Sequence, residues 1–115
     1  MKLLTHNMLQ APGARNGYPL AIECEKMEEV EADFNADFMV RMVDKVDYNA
    51  LVATLASLSI ESKLPAAVPA KYAEDEEFLT ALHHALMEIE ILDGHLVCPE
   101  TGKKFPIKDG IPSML

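Results

Sequence analysis

Several large classes of protein depend on features that this sequence lacks. It has two cysteines, Cys24 and Cys98, in 115 residues. That is too few for a disulfide framework, so both thiols are expected to be reduced, in an intracellular protein. It has 10 basic against 19 acidic residues, which argues against a chain that grips nucleic acid by itself, since phosphate contacts need clustered Lys and Arg. The N-terminus turns polar by Thr5-His6-Asn7, too early for the apolar stretch of an export signal. The longest apolar-looking run, Leu51 to Ile60, is broken by Thr54, Ser57 and Ser59 and reaches about half the length needed to cross a bilayer. No glycine-rich loop follows a strand in a way that would cradle phosphate or adenosine.

What remains is an ordinary globular balance, 50% apolar and 25% charged, long enough for one domain or one domain with an insertion. Charge divides the chain. Residues 1–22 carry a net +2, residues 94–115 a net +1, and residues 23–93 a net −12. The two ends are alike and differ from the middle. Either they fold together around an acidic insertion, or the asymmetry reflects solvated helix faces.

Local patterning supports the division. Lys2 to Leu9 is read as a short strand, and the residues from Gln10 to Gly17, with Pro12, Gly13 and Gly17, as a loop. Tyr18 to Glu25 alternates, with Leu20, Ile22 and Cys24 on one face; Met27 to Glu31 is read as a further strand. The period then changes. Phe38, Met39, Met42, Val43 and Val46 form one helical stripe behind Asn35 as N-cap, and Leu51, Leu55 and Leu58 form another behind Asp47. Glu74 to Glu77 opens a third helix, with Phe78, Leu82, Ala85, Ile89 and Leu92 as its buried stripe and Asp93-Gly94 as its end. The last 22 residues read as strands over 95–98, 103–107 and 111–115, joined by turns. Pro106 and Pro112 put these strands at an edge or a bulge.

No constellation carries catalysis. Cys98-Pro99-Glu100-Thr101-Gly102 has the frame of a zinc knuckle, but Thr101 stands where a second cysteine is needed. His6, His95 and Cys98 would supply three ligands at best. His83 and His84 point about 100° apart on a helix, and the pair His84 and Glu88 lacks a third ligand. Cys98 has no evident group to lower its pKa, and Cys24 reads as core. The anomaly is the C-terminus. Phe105-Pro106-Ile107 and Ile111-Pro112-Ser113-Met114-Leu115 are apolar and edge-like, so either the helices or a partner must cover them.

Four stretches are diagnostic when taken together. They are Met1 to Leu9; Asp33-Phe34-Asn35 with Phe38; Phe78-Leu79 with Leu82-His83-His84 and Leu86; and Leu96-Val97-Cys98-Pro99-Glu100-Thr101-Gly102 with Phe105-Pro106-Ile107, Gly110-Ile111-Pro112 and Met114-Leu115. In this order they resemble the multifunctional methyltransferase activator subunit family, small partners of tRNA, ribosomal RNA and release-factor methyltransferases. The resemblance implies an α+β fold. A zinc-ribbon-like antiparallel sheet is built from residues 1–33 and 93–115, with an inserted region of about three helices over 34–92. It implies a non-catalytic activating subunit, found in cytoplasm and nucleus. Several S-adenosylmethionine-dependent methyltransferases would bind it, one at a time, as heterodimers, by strand pairing and apolar contacts. S-adenosylmethionine and RNA would be held by the partner. Carried over by position, the contact candidates are Thr5, His6, Asn7, Met8 and Leu9 from the first strand. The C-terminal candidates are Phe105, Pro106, Ile107, Ile111, Pro112 and Met114. The zinc-binding pattern is lost here: its N-terminal positions fall near Ala11 and Asn16, and only Cys98 remains of the C-terminal pair, which implies a metal-free ribbon. The other reading is a stand-alone ribbon-type nucleic-acid-binding adaptor, against which stands the net charge of −9.

Overall fold

The computed structural model describes residues 1–13 and 15–114. Leu115, the last residue of the expected final strand, and Ala14, in the expected N-terminal loop, lie outside the described residues. Among the described residues the elements run α1 (Leu3–Met8), β1 (Ala21–Glu29), α2 (Ala36–Lys45), α3 (Tyr48–Ser57), a 3-10 turn (Tyr72–Glu74), α4 (Glu76–Met87), β2 (Ile89–Val97), β3 (Lys104–Lys108) and β4 (Ile111–Pro112). The four strands form one antiparallel sheet in the order β1-β2-β3-β4. The α+β class read from the sequence is the observed one.

The helices start where their side chains cap them. The Asn35 carboxamide oxygen accepts the Phe38 N–H at 3.0 Å, Asp47 that of Ala50 at 3.0 Å, and Asp75 that of Phe78 at 3.0 Å. Each satisfies one of the N–H groups that the first helical turn leaves free. The third helix therefore opens at Asp75 rather than Glu74, because a cap needs a side-chain acceptor three residues before a free N–H. Glu76 and Glu77 follow in its first turn, at the positive end of the helix dipole.

The helical stripe predicted to run on through Ile89 and Leu92 is corrected by the fold. α4 ends at Met87, and Ile89 to Val97 is strand. Glu88 to Ile91 alternates polar and apolar as well as it fits a helix, and the nine-residue ladder of β1 supplies the partner that decides between the two. Asp93-Gly94 accordingly lies inside β2 and ends no helix. Gly94 has φ +153°, and a Cβ there would lie 2.0 Å from the Glu23 carbonyl oxygen. Only glycine admits that approach, beside the register shift where β1 gains an extra residue between Cys24 and Lys26. The two strands expected over 18–25 and 27–31 are thus one bulged strand.

The first segment is also corrected. Residues 3–8 are helix, and only Met1 and Lys2 keep strand character: the Ile91 N–H donates to the Met1 carbonyl at 2.8 Å, and Lys2 bridges Glu90. The Met1 amino group donates to Glu90 Oε1 at 2.9 Å and to the Ile91 carbonyl at 2.7 Å. Leu3, on the buried face of α1, packs into the same core as Leu51, Leu82, Leu86, Ile91, Leu96 and Phe105. That core spans helices and sheet alike.

Candidate partner-docking surface

The C-terminal hairpin is shaped by two residues. Asp109 and Gly110 have φ of 50° and 79°, both central positions of a primed turn, whose twist matches that of the strands it joins. β3 and β4 then pair Ile107 with Pro112 and Lys108 with Ile111. Along β3, Phe105 and Ile107 face inward, both about 1% exposed, while Lys104, Pro106 and Lys108 face solvent. Ile111, opposite Lys108, shares that outer face and is 71% exposed. Pro112 and Met114 are half-buried. Pro106 sits in an inner strand of the sheet rather than at its edge, and its carbonyl accepts the Ser113 N–H at 2.9 Å. Pro112 does lie in the edge strand.

The two outer strands differ sharply. β1 presents Glu23, Glu25, Lys26, Glu28 and Glu29 to solvent, and charged side chains of this kind blunt an open edge. β4 is two residues long, apolar, and on its outer side bordered by no other strand among the described residues. Two of the nearby lysines are engaged within the chain. Lys104 pairs with Glu23 at 3.0 Å, and the Lys103 ammonium lies 5.3 Å from the centre of the Phe105 ring.

The N-terminal candidates separate. Thr5 and Met8 are exposed, Met8 at 51%, and Leu9 is half-buried. His6 and Asn7 are buried and committed inside the molecule. His6 Nε2 donates to the Leu20 carbonyl at 2.6 Å; a carbonyl only accepts, so Nε2 carries the proton. Burial holds the imidazole below its ordinary pKa, against the opposing pull of that bond. The Asn7 carboxamide makes a reciprocal pair with the Asp47 backbone, donating to its carbonyl at 2.9 Å and accepting its N–H at 2.9 Å. These two polar residues tie α1 to the start of β1 and to the α2–α3 junction. Of the C-terminal candidates, Phe105 and Ile107 are likewise core.

Zinc, whose binding pattern the sequence has lost, does not fit the donors present. The turn holds itself: Gly102 N–H donates to the Cys98 carbonyl, and Cys98 N–H to the Lys103 carbonyl, each at 2.9 Å. Across from it, the Arg15 N–H donates to Glu100 Oε2 at 3.0 Å, so the two loops do meet. At the positions of the lost zinc pattern the two loops offer Ala11, Asn16, one thiol from Cys98 and the Thr101 hydroxyl, whereas a structural zinc takes four thiolate, imidazole or carboxylate ligands. Among the described residues no group of three or more His, Cys, Asp and Glu could hold a metal ion. A hydrogen bond from the Thr101 side chain, then one from its backbone, hold the Cys98 thiol below its ordinary pKa, a partner that the sequence pattern did not disclose. Burial raises that of Cys24. No helix among the described residues is long and apolar enough to cross a membrane.

Comparison with known proteins places these features in a family. The profile of the Trm112p-like protein family matches residues 2–110. The chain is 47% identical over 119 residues to the multifunctional methyltransferase subunit TRM112 homolog A of Arabidopsis thaliana, covering all of this chain and 95% of that one. It is 41% identical over 119 residues to the TRM112-like methyltransferase subunit of Mus musculus, covering all of this chain and 94% of that one. A solved structure, the E. cuniculi Mtq2-Trm112 complex responsible for methylation of the eRF1 translation termination factor, contains a chain of the same fold. The TM-score is 0.64 and the identity 23%, over 100% of this chain and 95% of that one. With a family profile spanning nearly its whole length and relatives above 40% identity, the chain belongs to the Trm112p-like family.

Proposed function

We propose that this chain is a non-catalytic subunit that activates and stabilises S-adenosylmethionine-dependent methyltransferases acting on tRNA, ribosomal RNA and translation release factor. The observation that carries the reading is the pairing of an open apolar edge at β4, with Ile111 71% exposed beside it, with membership of a family whose relatives are named multifunctional methyltransferase subunits. An exposed edge of this kind accepts a strand from another chain, main-chain bonds giving affinity and the flanking side chains giving selectivity. Covering it would also bury the partner's own apolar surface and shift the partner toward its folded state by mass action.

On this reading several catalytic subunits compete for one surface and bind singly, as heterodimers. Thr5, Met8, Leu9, Pro106, Ile111, Pro112 and Met114 are the contact residues, while His6, Asn7, Phe105 and Ile107 shape the surface from within. S-adenosylmethionine and RNA are held by the partner; the acidic charge of this chain favours that division. The sheet, drawn from both ends of the chain, docks the partner, and the helical middle supports it. The ribbon works without zinc, and the protein acts in cytoplasm and nucleus.

The test is affinity purification of the tagged chain from its own cells, with co-purifying proteins identified by mass spectrometry, beside the Ile111→Asp variant. Methyltransferase catalytic subunits at near-equal amounts with the native chain, and their loss with Ile111→Asp at unchanged thermal stability, are the expected results. Equal recovery with both chains removes the β4 edge as the docking site. Recovery of the native chain alone removes the function.

A further inference from the structure

The turn that shapes the β4 edge rests on a buried ion pair. Met1 and Ile91 exchange two main-chain bonds: the Met1 amino group donates to the Ile91 carbonyl at 2.7 Å, and the Ile91 N–H donates to the Met1 carbonyl at 2.8 Å. Lys2 then bridges Glu90 in the antiparallel sense. The first two residues thus pair with β2 just ahead of the stretch that β3 pairs with, Gly94 to Val97. The hairpin turn stands between the two stretches, and its Gly110 N–H donates to the Leu92 carbonyl at 2.9 Å.

Met1 is 3% exposed as a whole, so an ammonium group lies inside the protein. Its second acceptor is Glu90 Oε1, at 2.9 Å. Glu90 stands opposite Glu28 in the β1–β2 register, and two carboxylates in that arrangement repel. The ammonium offsets the repulsion and satisfies the carboxylate and the Ile91 carbonyl together. The fit is close. A Cβ on Gly110 would lie 2.7 Å from Glu90 Oε1 and 3.0 Å from the Met1 nitrogen. The backbone of the turn therefore packs on the ion pair itself, and glycine is needed at 110 for that approach as well as for its φ of 79°.

We propose that the Met1 ammonium and the Glu90 carboxylate form a clamp that positions the β3–β4 turn, and with it the β4 edge, and that an acyl group on the amine opens the clamp. Acetylation turns the charged amine into an amide with a single N–H, which leaves one of its two acceptors unpaired. It also adds an acyl group to an enclosed nitrogen beside the Gly110 backbone. Removing one partner of a buried pair leaves the other charge uncompensated. Glu90 is a positioning residue, since it reaches β4 only through the turn. The consequence for docking rests on the methyltransferase-subunit reading above; the clamp itself does not.

The test compares the full chain bearing a free amino group with the same chain acetylated at the Met1 nitrogen by peptide ligation, with Glu90→Gln, and with the two changes combined. Leu55→Ala, a truncation in the buried face of α3, controls for loss of stability alone. Each single change at the clamp should lower the melting temperature by about 5–15 °C, the span for lost hydrogen bonds to a charged group in a domain of this size. The combination should cost little more than either, because both remove one interaction. Amide hydrogen exchange at Gly110 and Ile111 should quicken in these chains and not in Leu55→Ala. Capture of methyltransferase subunits, measured below every melting temperature, should fall by about tenfold, the loss of roughly one main-chain hydrogen bond, while Leu55→Ala retains it. Unchanged melting on acetylation, additive losses, or exchange at Gly110 and Ile111 no faster than in Leu55→Ala would overturn the clamp. Undiminished capture by a chain whose turn has opened would overturn its part in docking. No capture by the native chain would remove the proposed function instead, with melting and exchange still deciding the clamp.

Discussion

Two segments of this chain resemble docking elements, and they are built in opposite ways. In α1 the apolar Met8 is on the surface, and the polar His6 and Asn7 are inside. In the β3–β4 hairpin the apolar Phe105 and Ile107 are inside, and the apolar Ile111 is outside. A strand sorts its side chains by alternation, so which hairpin residues share a face follows from the chain itself, while packing decides which face is buried. A one-and-a-half-turn helix offers no such rule. His6 and Asn7 are buried because Leu20 and Asp47, distant in sequence, present backbone groups that satisfy them. Segment resemblance therefore nominated both segments, and exposure separates the residues a partner could reach from those held inside.

That contrast can be broken by substitution. The largest effect is expected inside the hairpin. Ile107→Asp places a charge at a position 1% exposed and should cost about 4 kcal/mol or more, so it unfolds the chain rather than selectively releasing a partner; differential scanning calorimetry would show the lost transition. Next comes Asn7→Ala. It deletes both bonds to Asp47 and leaves the Asp47 N–H and carbonyl without their partner, at a cost of about 2 kcal/mol. Urea titration should show that loss in the midpoint, with an unchanged slope.

A smaller effect separates the histidine in α1 from its neighbours. His6 is held below its ordinary pKa by burial, so the unfolded chain binds a proton that the folded chain refuses. Stability is full above the ordinary histidine pKa of about 6.5 and falls as pH drops below it. His6→Gln should flatten that acid slope in melts between pH 7 and pH 5; an unchanged slope would assign it elsewhere. Smallest on stability is Ile111→Asp, within about 0.5 kcal/mol, although it is the substitution expected to abolish partner capture. A chelator should leave the melting temperature unmoved if no structural metal is present; a drop would reinstate the metal.

Much of the architecture was legible without coordinates. Asn35 and Asp47 mark helix starts because a side-chain oxygen there meets a free N–H three residues on, a purely local condition. Asp109-Gly110 marks the hairpin because it tolerates positive φ at both turn positions. The misread segments are those where local rules tie. Ile89 fits the α4 stripe and also fits β2, and the register with β1 decided for the strand. Leu3 fits strand or helix, and the partners of His6 and Asn7 decided for the helix. Of the candidate site the resemblance nominates two segments, and four of the eleven nominated residues are buried, which no local pattern in α1 discloses.

By itself, then, the sequence determined the class of fold, the caps at Asn35 and Asp47, the turn before the last strand, the lack of four zinc ligands and the acidic middle, all of which depend on residues within a few positions of one another or on composition. Only the tertiary structure decided which polar side chains went inside, where α4 gave way to β2, and which apolar residue was left uncovered at the edge. Those outcomes depend on groups brought together from distant parts of the chain, and the cost of burying a polar group or exposing an apolar one is fixed only when its neighbours are known.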